Sequence, residues 1–223
     1  MSWLPIFVRH LFLANLAPQP AGSGKTFLTS KVVDQVSSLL STANEEGFAF
    51  FYCKRDEENR RNPLSVLQSC VRQLSTPTAR SNEMRAMLRR LCHKTRLEGG
   101  NLSFAACKQQ LLESVNLYPK TTIVLDALDE CDPDTRGELV ETIDYLLSEA
   151  RRPLKVFISS RPDGDIRDCF AARPTVAIDA TDNHSDIQKY IGEAIIKHRR
   201  WNRISKSLRD DIIRTLSDRS GGM

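Results

Sequence analysis

Ala21-Gly22-Ser23-Gly24-Lys25-Thr26 is the segment that decides the fold, because it has the composition of a phosphate-binding loop that continues into a helix. Small residues let the backbone close around phosphate oxygens, Lys25 supplies a positive charge, and the Thr26 hydroxyl can ligate Mg²⁺. A helix that begins here also directs its free N–H groups at the same anion. The full loop pattern has glycine five residues before Gly24, where this chain has Gln19. The prediction of a phosphate site therefore needs support from the rest of the sequence.

The composition, 40% hydrophobic and 27% charged residues, is typical of a soluble globular protein, and 223 residues accommodate one α/β domain and part of a second. The net charge is only +4 and basic residues occur in isolated pairs, which argues against a nucleic-acid partner. The apolar residues 1–17 are too short and too charged to span a membrane. The six cysteines are widely spaced, so neither zinc nor a disulfide framework is predicted and a cytoplasmic location is expected.

Apolar runs alternate with amphipathic stretches along the chain. We predict strands over residues 11–16, 48–53, 121–126, 154–159 and 175–179, and helices from Thr26, Pro63, Ser103 and Asp132 and over 84–91. A charged loop over residues 54–61 is expected after the second strand. Strands that alternate with helices predict a parallel sheet covered on both faces. After Thr181 the pattern is purely helical, as expected for the start of a lid domain.

Acidic residues follow the third predicted strand, in which Ile123-Val124-Leu125 ends in Asp126. Ligands bind at the carboxyl edge of open α/β sheets, so a carboxylate there suits Mg²⁺, opposite Thr26. Asp129 and Glu130 follow within one turn, and either can orient or deprotonate an attacking water. Both also fit a simpler role, in which they complement the positive end of the next helix. The sequence leaves these two roles open.

Arg161 ends the fourth predicted strand, within Ser159-Ser160-Arg161-Pro162. From the same sheet edge its guanidinium can contact the terminal phosphate of a nucleotide and sense its presence. The alternative is a surface arginine paired with Asp163 or Asp165. The order of the three groups along the chain (loop, aspartate at a strand end, arginine at a strand end) favours the sensing role.

Together these segments resemble the NACHT-type STAND NTPases, and in particular the nephrocystin-like N-terminal NTPase module of fungal ankyrin- and WD-repeat proteins. The resemblance covers roughly residues 21–220 and rests on residues 22–26, 48–53, 125–131 and 158–162. It implies a P-loop NTPase fold, a three-layer αβα sandwich with a parallel five-stranded sheet in the order 2-3-4-1-5, followed by the start of a helical lid. It also implies that Asp126 is the Walker B metal residue, that Asp129 or Glu130 is the hydrolytic acid, and that Arg161 is the sensor-1 arginine.

The resemblance divides the chain into three parts: an atypical lead-in strand over 1–20, an NTPase core over 21–181, and a truncated start of the lid over 182–223. The effector and repeat domains of such proteins are outside this chain. The function that it implies is a signal-transduction switch that binds ATP or GTP with Mg²⁺, hydrolyses it slowly and self-associates in the triphosphate state. Gly22, Ser23, Gly24, Lys25 and Thr26 are its expected nucleotide-binding residues.

Two alternatives remain at this stage. The loop has Gln19 in place of its first glycine, and Pro18 and Pro20 remove N–H donors, so the chain could be a nucleotide-impaired scaffold that retains the fold. A small-molecule kinase has the same kind of loop, although the sequence has no evident lid for an acceptor substrate.

Overall fold

The fold is built on one parallel sheet. In the computed structural model its five strands are β1 (His10–Leu16), β2 (Gly47–Tyr52), β3 (Thr121–Asp126), β4 (Leu154–Ser160) and β5 (Thr175–Ile178), in the order β2-β3-β4-β1-β5. This is the order that the resemblance implies. For β2, β3 and β4 the structure describes backbone and side chains, and for β1 and β5 the backbone pairing. The predicted α/β class is confirmed.

The structure describes residues 10–16, 25–40, 46–75, 86, 89–90, 93, 102–161, 164–170, 175–178, 189–193 and 204–219. Its helices are α1 (Lys25–Leu40), α2 (Glu58–Arg61), α3 (Pro63–Leu74), α4 (Phe104–Leu117), α5 (Arg136–Glu149), α6 (Gly164–Phe170) and α7 (Lys206–Arg219). A 3₁₀ turn spans Leu128–Glu130. No described helix is long and apolar enough to cross a membrane.

The three central strands form because their residues are apolar and are covered on both faces. Ile123, Val124 and Leu125 of β3 are all buried, as are alternate residues of β4. The strand register places Tyr52 beside Asp126, so that β2 and β3 end at the same level. The polar residues at these strand ends therefore lie at one edge of the sheet.

Helices α3, α4 and α5 pack around a common apolar core. Both predicted starts of α3 and α4 are confirmed: the Asn62 side chain accepts a hydrogen bond from Leu64 N at 2.8 Å, and the Ser103 side chain accepts one from Ala106 N at 3.2 Å. Among the described residues the largest fully buried side chain is Tyr118, directly after α4. Its hydroxyl donates to the carbonyl of Leu74, which links the ends of α3 and α4.

Three expectations need correction. The helix predicted from Asp132 begins at Arg136, because Asp132 Oδ1 accepts from Asp134 N at 3.1 Å and closes a turn before the helix. The charged segment after β2, expected as a loop, ends in the short helix α2. The predicted strand edges at β1, β2, β4 and β5 shift by one residue. Most of the helix predicted over 84–91 and much of the predicted lid, including Ile187, lie outside the described residues.

Gly47 opens β2 against Tyr118 and β3, and a side chain there has no space. A Cβ atom at Gly47 would lie 2.7 Å from Thr121 Oγ1 and 2.8 Å from Tyr118 Cδ2. Tyr118 is held by its hydrogen bond and cannot yield. We expect Gly47→Ala to lower the free energy of unfolding by about 1–3 kcal/mol, measured by urea denaturation.

The control is Gly137→Ala in α5, where an added Cβ meets no atom within 4 Å. Alanine is favoured over glycine inside a helix, so this variant should keep or gain stability, by up to about 1 kcal/mol. Equal urea midpoints for the two variants would contradict the packing described for Gly47.

Candidate functional site

The candidate site lies at the carboxyl edge of the sheet, where α1 begins and β3 and β4 end. Helix α1 packs against both of these strands. The site therefore combines residues that are about a hundred positions apart in sequence, and the fold alone brings them together.

Asp126 is the centre of the site, and its carboxylate is buried, with 2% of the residue exposed. Three hydroxyls donate to it: Thr26 Oγ1 to Oδ2 at 2.8 Å, and Thr29 Oγ1 and Ser159 Oγ to Oδ1 at 2.6 Å and 2.5 Å. Hydrogen bonds satisfy a buried carboxylate that would otherwise destabilise the fold. The position of Asp126 is thus fixed by the first turn of α1 on one side and by β4 on the other.

The chain reverses direction directly after Asp126. Ala127 has a left-handed backbone conformation, with φ 53°, the only such non-glycine residue among those described. The conformation costs free energy for an alanine, and the Ala127 N–H is held by Ser159 Oγ at 2.9 Å. The turn that follows brings Asp129 back over the end of β4, where it is buried. We call Leu128–Glu130 the acidic turn.

Asp129 faces two cationic side chains. Its Oδ1 accepts from the backbone N–H of Arg161 at 2.9 Å and lies 3.8 Å from Lys25 Nζ. Its Oδ2 lies 3.5 Å from Arg161 Nε. The predicted residues Lys25, Asp129 and Arg161 are therefore assembled at one place.

Two further arginines hold the backbone of the acidic turn. The carbonyl oxygen of Asp129 accepts from Arg55 Nη2 at 3.1 Å and from Arg136 Nη1 at 3.2 Å. Arg136 is buried, and its other nitrogens make two bonds of 2.6 Å to Asp165 in α6. The Arg136 fork lowers the pKa of the Asp165 carboxyl. The turn is thus held from both sides.

Glu130 points in a different direction from Asp129. It is half-buried, and its Oε2 accepts from the backbone N–H of Arg55 at 3.3 Å. The structure therefore separates two acids that the sequence could not distinguish. Asp129 contacts Lys25 and Arg161, and Glu130 contacts the segment that follows β2.

Several predicted residues are not part of this description. Gly22, Ser23 and Gly24, together with Gln19, lie outside the described residues. Of the two alternative partners expected for Arg161, Asp165 pairs with Arg136. Arg161 itself pairs with Asp129. Asp163 lies outside the described residues.

Sequence reasoning missed four residues of the site: Thr29, Ser159, Arg55 and Arg136. Thr29 could have been found, since it lies three residues after Thr26 and so on the same face of α1. Ser159 lies in the same segment as Arg161, but nothing in the sequence indicates that its hydroxyl binds Asp126. Arg55 and Arg136 gave no signal, because each reaches the acidic turn from a segment that local patterns cannot place.

Two thiols border the acidic turn. Cys53 Sγ, at the end of β2, lies 3.2 Å from Cys131 Sγ, which follows Glu130, and both cysteines are free. The hydrogen bond with Cys131 and burial raise the pKa of the Cys53 thiol far above its usual value. Cys53 is therefore a neutral thiol, and both buried side chains fill space beside the turn.

The donor atoms at Thr26 and Asp126 fit a hard dication. Thr26 is exposed, and its hydroxyl oxygen lies 2.8 Å from Asp126 Oδ2, so two oxygen donors already face each other. Mg²⁺ takes oxygen ligands and usually keeps several waters. Among the described residues there is no cluster of three or more His, Cys, Asp or Glu side chains with metal-site geometry.

The strand order, with Lys25 and Thr26 at the start of α1 and Asp126 at the end of β3, defines an α/β fold similar to that of P-loop ATPases. Residues 17–161 match the family model described as "Nephrocystin 3, N-terminal". The match covers more than half of the chain, so the chain belongs to this family. The nephrocystin-like resemblance is confirmed.

Three solved structures illustrate how distant the other similarities are. A Walker-type ATPase of Pyrococcus abyssi is 12% identical, with a TM-score of 0.49 over 92% of this chain and 60% of its own. Cdc6p from Pyrobaculum aerophilum is 16% identical, with a TM-score of 0.45 over 76% of this chain. The Aeropyrum pernix Orc1 protein, solved in complex with DNA, is 14% identical, with a TM-score of 0.46 over 77% of this chain. This chain spans 39% of the length of the last two. No curated protein matches the chain.

The surroundings of Lys25 lead to a prediction about its titration. Burial lowers the pKa of the Lys25 ammonium, Asp129 raises it and Arg161 lowers it. Asp129→Asn should therefore lower this pKa further, and Arg161→Gln should raise it. The measurement is a pH titration of the Lys25 ¹³Cε resonance in the nucleotide-free protein, assigned with Lys25→Arg.

The same shift has a definite effect on stability. Since the folded-state pKa lies below the unfolded value, charged Lys25 opposes folding at neutral pH, and this cost decreases as the pH rises from the folded-state pKa to the unfolded value. If both Asp129→Asn and Arg161→Gln shifted the Lys25 pKa in the same direction, the surroundings described for Lys25 would be wrong.

Proposed function

We propose that this chain is the nucleotide-binding module of a signalling switch that binds ATP or GTP with Mg²⁺ and hydrolyses it slowly. The observation that carries the proposal is the hydrogen bond of 2.8 Å between Thr26 Oγ1 and Asp126 Oδ2, which joins residues 100 positions apart at the edge where such folds bind ligands. A threonine at a helix start and an aspartate at a strand end are the pair that hold the metal in P-loop NTPases.

In this proposal the nucleotide phosphates lie at the start of α1. Lys25 and the N–H groups of residues 22–24 bind the β- and γ-phosphates, aided by the positive end of the helix. Thr26 and Asp126 supply protein oxygens to Mg²⁺, which when bound neutralises charge on the phosphates. The hydroxyls of Thr29 and Ser159 keep the Asp126 carboxylate in place for this role.

The remaining polar residues act on the terminal phosphate. Asp129 or Glu130 orients the attacking water, and Arg161 contacts the γ-phosphate and senses its presence. The closeness of Lys25 and Arg161 to one carboxylate, Asp129, supports placing both cations at the same phosphate group.

We also propose that residues 21–181 form the NTPase core, that 182–223 begin a helical lid of the NACHT type, and that the triphosphate state self-associates. In this proposal residues 1–20 form an atypical lead-in. The free thiols among the described cysteines suit the cytoplasm, where we place the protein.

The second candidate is a scaffold that retains the fold but binds nucleotide weakly. It is favoured by Gln19, which replaces the first loop glycine, and by the flanking prolines. A binding measurement separates the two candidates, because the scaffold requires no phosphate affinity.

The first test is a calorimetric titration of the chain with Mg²⁺–ATP and Mg²⁺–GTP. We expect saturable binding by the wild type, and an increase in Kd of about tenfold or more for Lys25→Ala, since an ammonium–phosphate contact is lost. Lys31→Ala, on the same helix, is the matched control and should leave Kd unchanged. If the wild type does not bind either nucleotide, the scaffold is the correct function.

The second test addresses the metal pair. Thr26→Val removes the exposed hydroxyl, so nucleotide binding should lose most of its dependence on Mg²⁺, whereas Thr26→Ser should retain it. Asp126→Asn should lower the hydrolysis rate by about a hundredfold or more, because the metal supplies several kcal/mol of charge stabilisation. Hydrolysis that is unchanged in a folded Asp126→Asn variant would remove Asp126 from the mechanism.

A further inference from the structure

Among the described residues, Asp129 is a carboxylate that both Lys25 and Arg161 contact. Its side chain is 1% exposed, while those of Lys25 and Arg161 are 11% and 41% exposed. Both cations therefore reach inward to a buried acid from more open positions. The same two cations are the ones that the proposed function assigns to the terminal phosphates.

The position of Asp129 does not depend on these cations. Its backbone carbonyl is held by Arg55 and Arg136, and Arg136 is itself fixed by its two bonds to Asp165. Its Oδ1 also accepts from the backbone N–H of Arg161, directly after β4, and this bond does not involve the Arg161 guanidinium. Lys25 and the Arg161 guanidinium can therefore leave while the acidic turn stays in place.

The negative charge of the buried Asp129 carboxylate is balanced by the two cations. Oδ2 makes no hydrogen bond to any residue that the structure describes, and its close charged neighbour is Arg161 Nε at 3.5 Å. A buried charge without partners is unfavourable. Removing one cation from Asp129 leaves the other, but removing both leaves a buried carboxylate with only its backbone hydrogen bond.

We propose that Asp129 is a positioning residue that holds Lys25 and Arg161 together and thereby favours the diphosphate state over the triphosphate state. The proposal rests on the proposed function, since it takes the phosphate positions from it. A diphosphate draws Lys25 from Asp129 and leaves Arg161 in place. A triphosphate draws both cations, so its binding requires breaking both contacts with Asp129 and costs more free energy.

The test uses Asp129→Asn in the full 223-residue chain. Asparagine retains an oxygen that can accept from the Arg161 N–H, and the arginines still hold the carbonyl, so the turn keeps its shape. With Mg²⁺ present, we expect the Kd for AMP-PNP or GMP-PNP to fall about fivefold, as for the loss of one competing ion pair, and the Kd for ADP or GDP to fall less.

Asp134→Asn is the matched control. It removes the same charge as Asp129→Asn, from an exposed aspartate that is close in sequence. It should change neither affinity. An equal gain in both variants would mean that net charge alone is responsible, and would overturn the proposal. The proposal would also be overturned if Asp129→Asn lowered the hydrolysis rate and left the affinities for diphosphate and triphosphate unchanged. Asp129 would then act only on the water.

A second measurement needs no nucleotide. The ¹H–¹⁵Nε resonance of Arg161, assigned with Arg161→Lys, should shift on Asp129→Asn and stay in place on Asp134→Asn. If this shift is seen but no nucleotide binds, the proposed function fails while the contact stands. If nucleotide binds and the resonance does not shift, the inference about Asp129 fails alone. Asp129→Ser repeats both measurements should the asparagine variant not fold.

Discussion

The carboxylate of Asp126 is the interaction on which the rest of the structure depends. Its three hydroxyl partners come from two elements, Thr26 and Thr29 from α1 and Ser159 from β4. These bonds fix the start of α1 over the carboxyl end of β3, and they align β3 with β4. A buried carboxylate requires hydrogen-bond donors, so the same requirement that stabilises the fold also places a threonine hydroxyl beside an acid at the carboxyl edge of the sheet.

Electrostatic balance explains why a second acid lies so close. Lys25 and Arg161 would repel each other across the open edge of the sheet without an anion between them, and Asp129 supplies that anion from within the protein. The left-handed turn at Ala127 is what directs it inward. The backbone strain at Ala127 is thus offset by the contacts of Asp129 with Lys25 and Arg161.

The sequence predicted the parts of this site that local patterns encode. Asp126 was found because it ends a run of buried aliphatic residues, and Lys25 and Thr26 because a small-residue loop precedes them. The burial of Asp129 could not be predicted, since it depends on one backbone angle at Ala127 and on two arginines, one from the segment after β2 and one from α5. Long-range hydrogen bonds of this kind leave no periodicity in the sequence.

Arg136 shows how such a contact constrains what the chain can tolerate. One planar guanidinium spans the Asp129 carbonyl and both oxygens of Asp165. A lysine carries the same charge but only a single ammonium group, and it cannot reproduce this fork. Position 136 is therefore closed to conservative exchange, because its loss would release both the acidic turn and the start of α6, two segments that share no sequence motif.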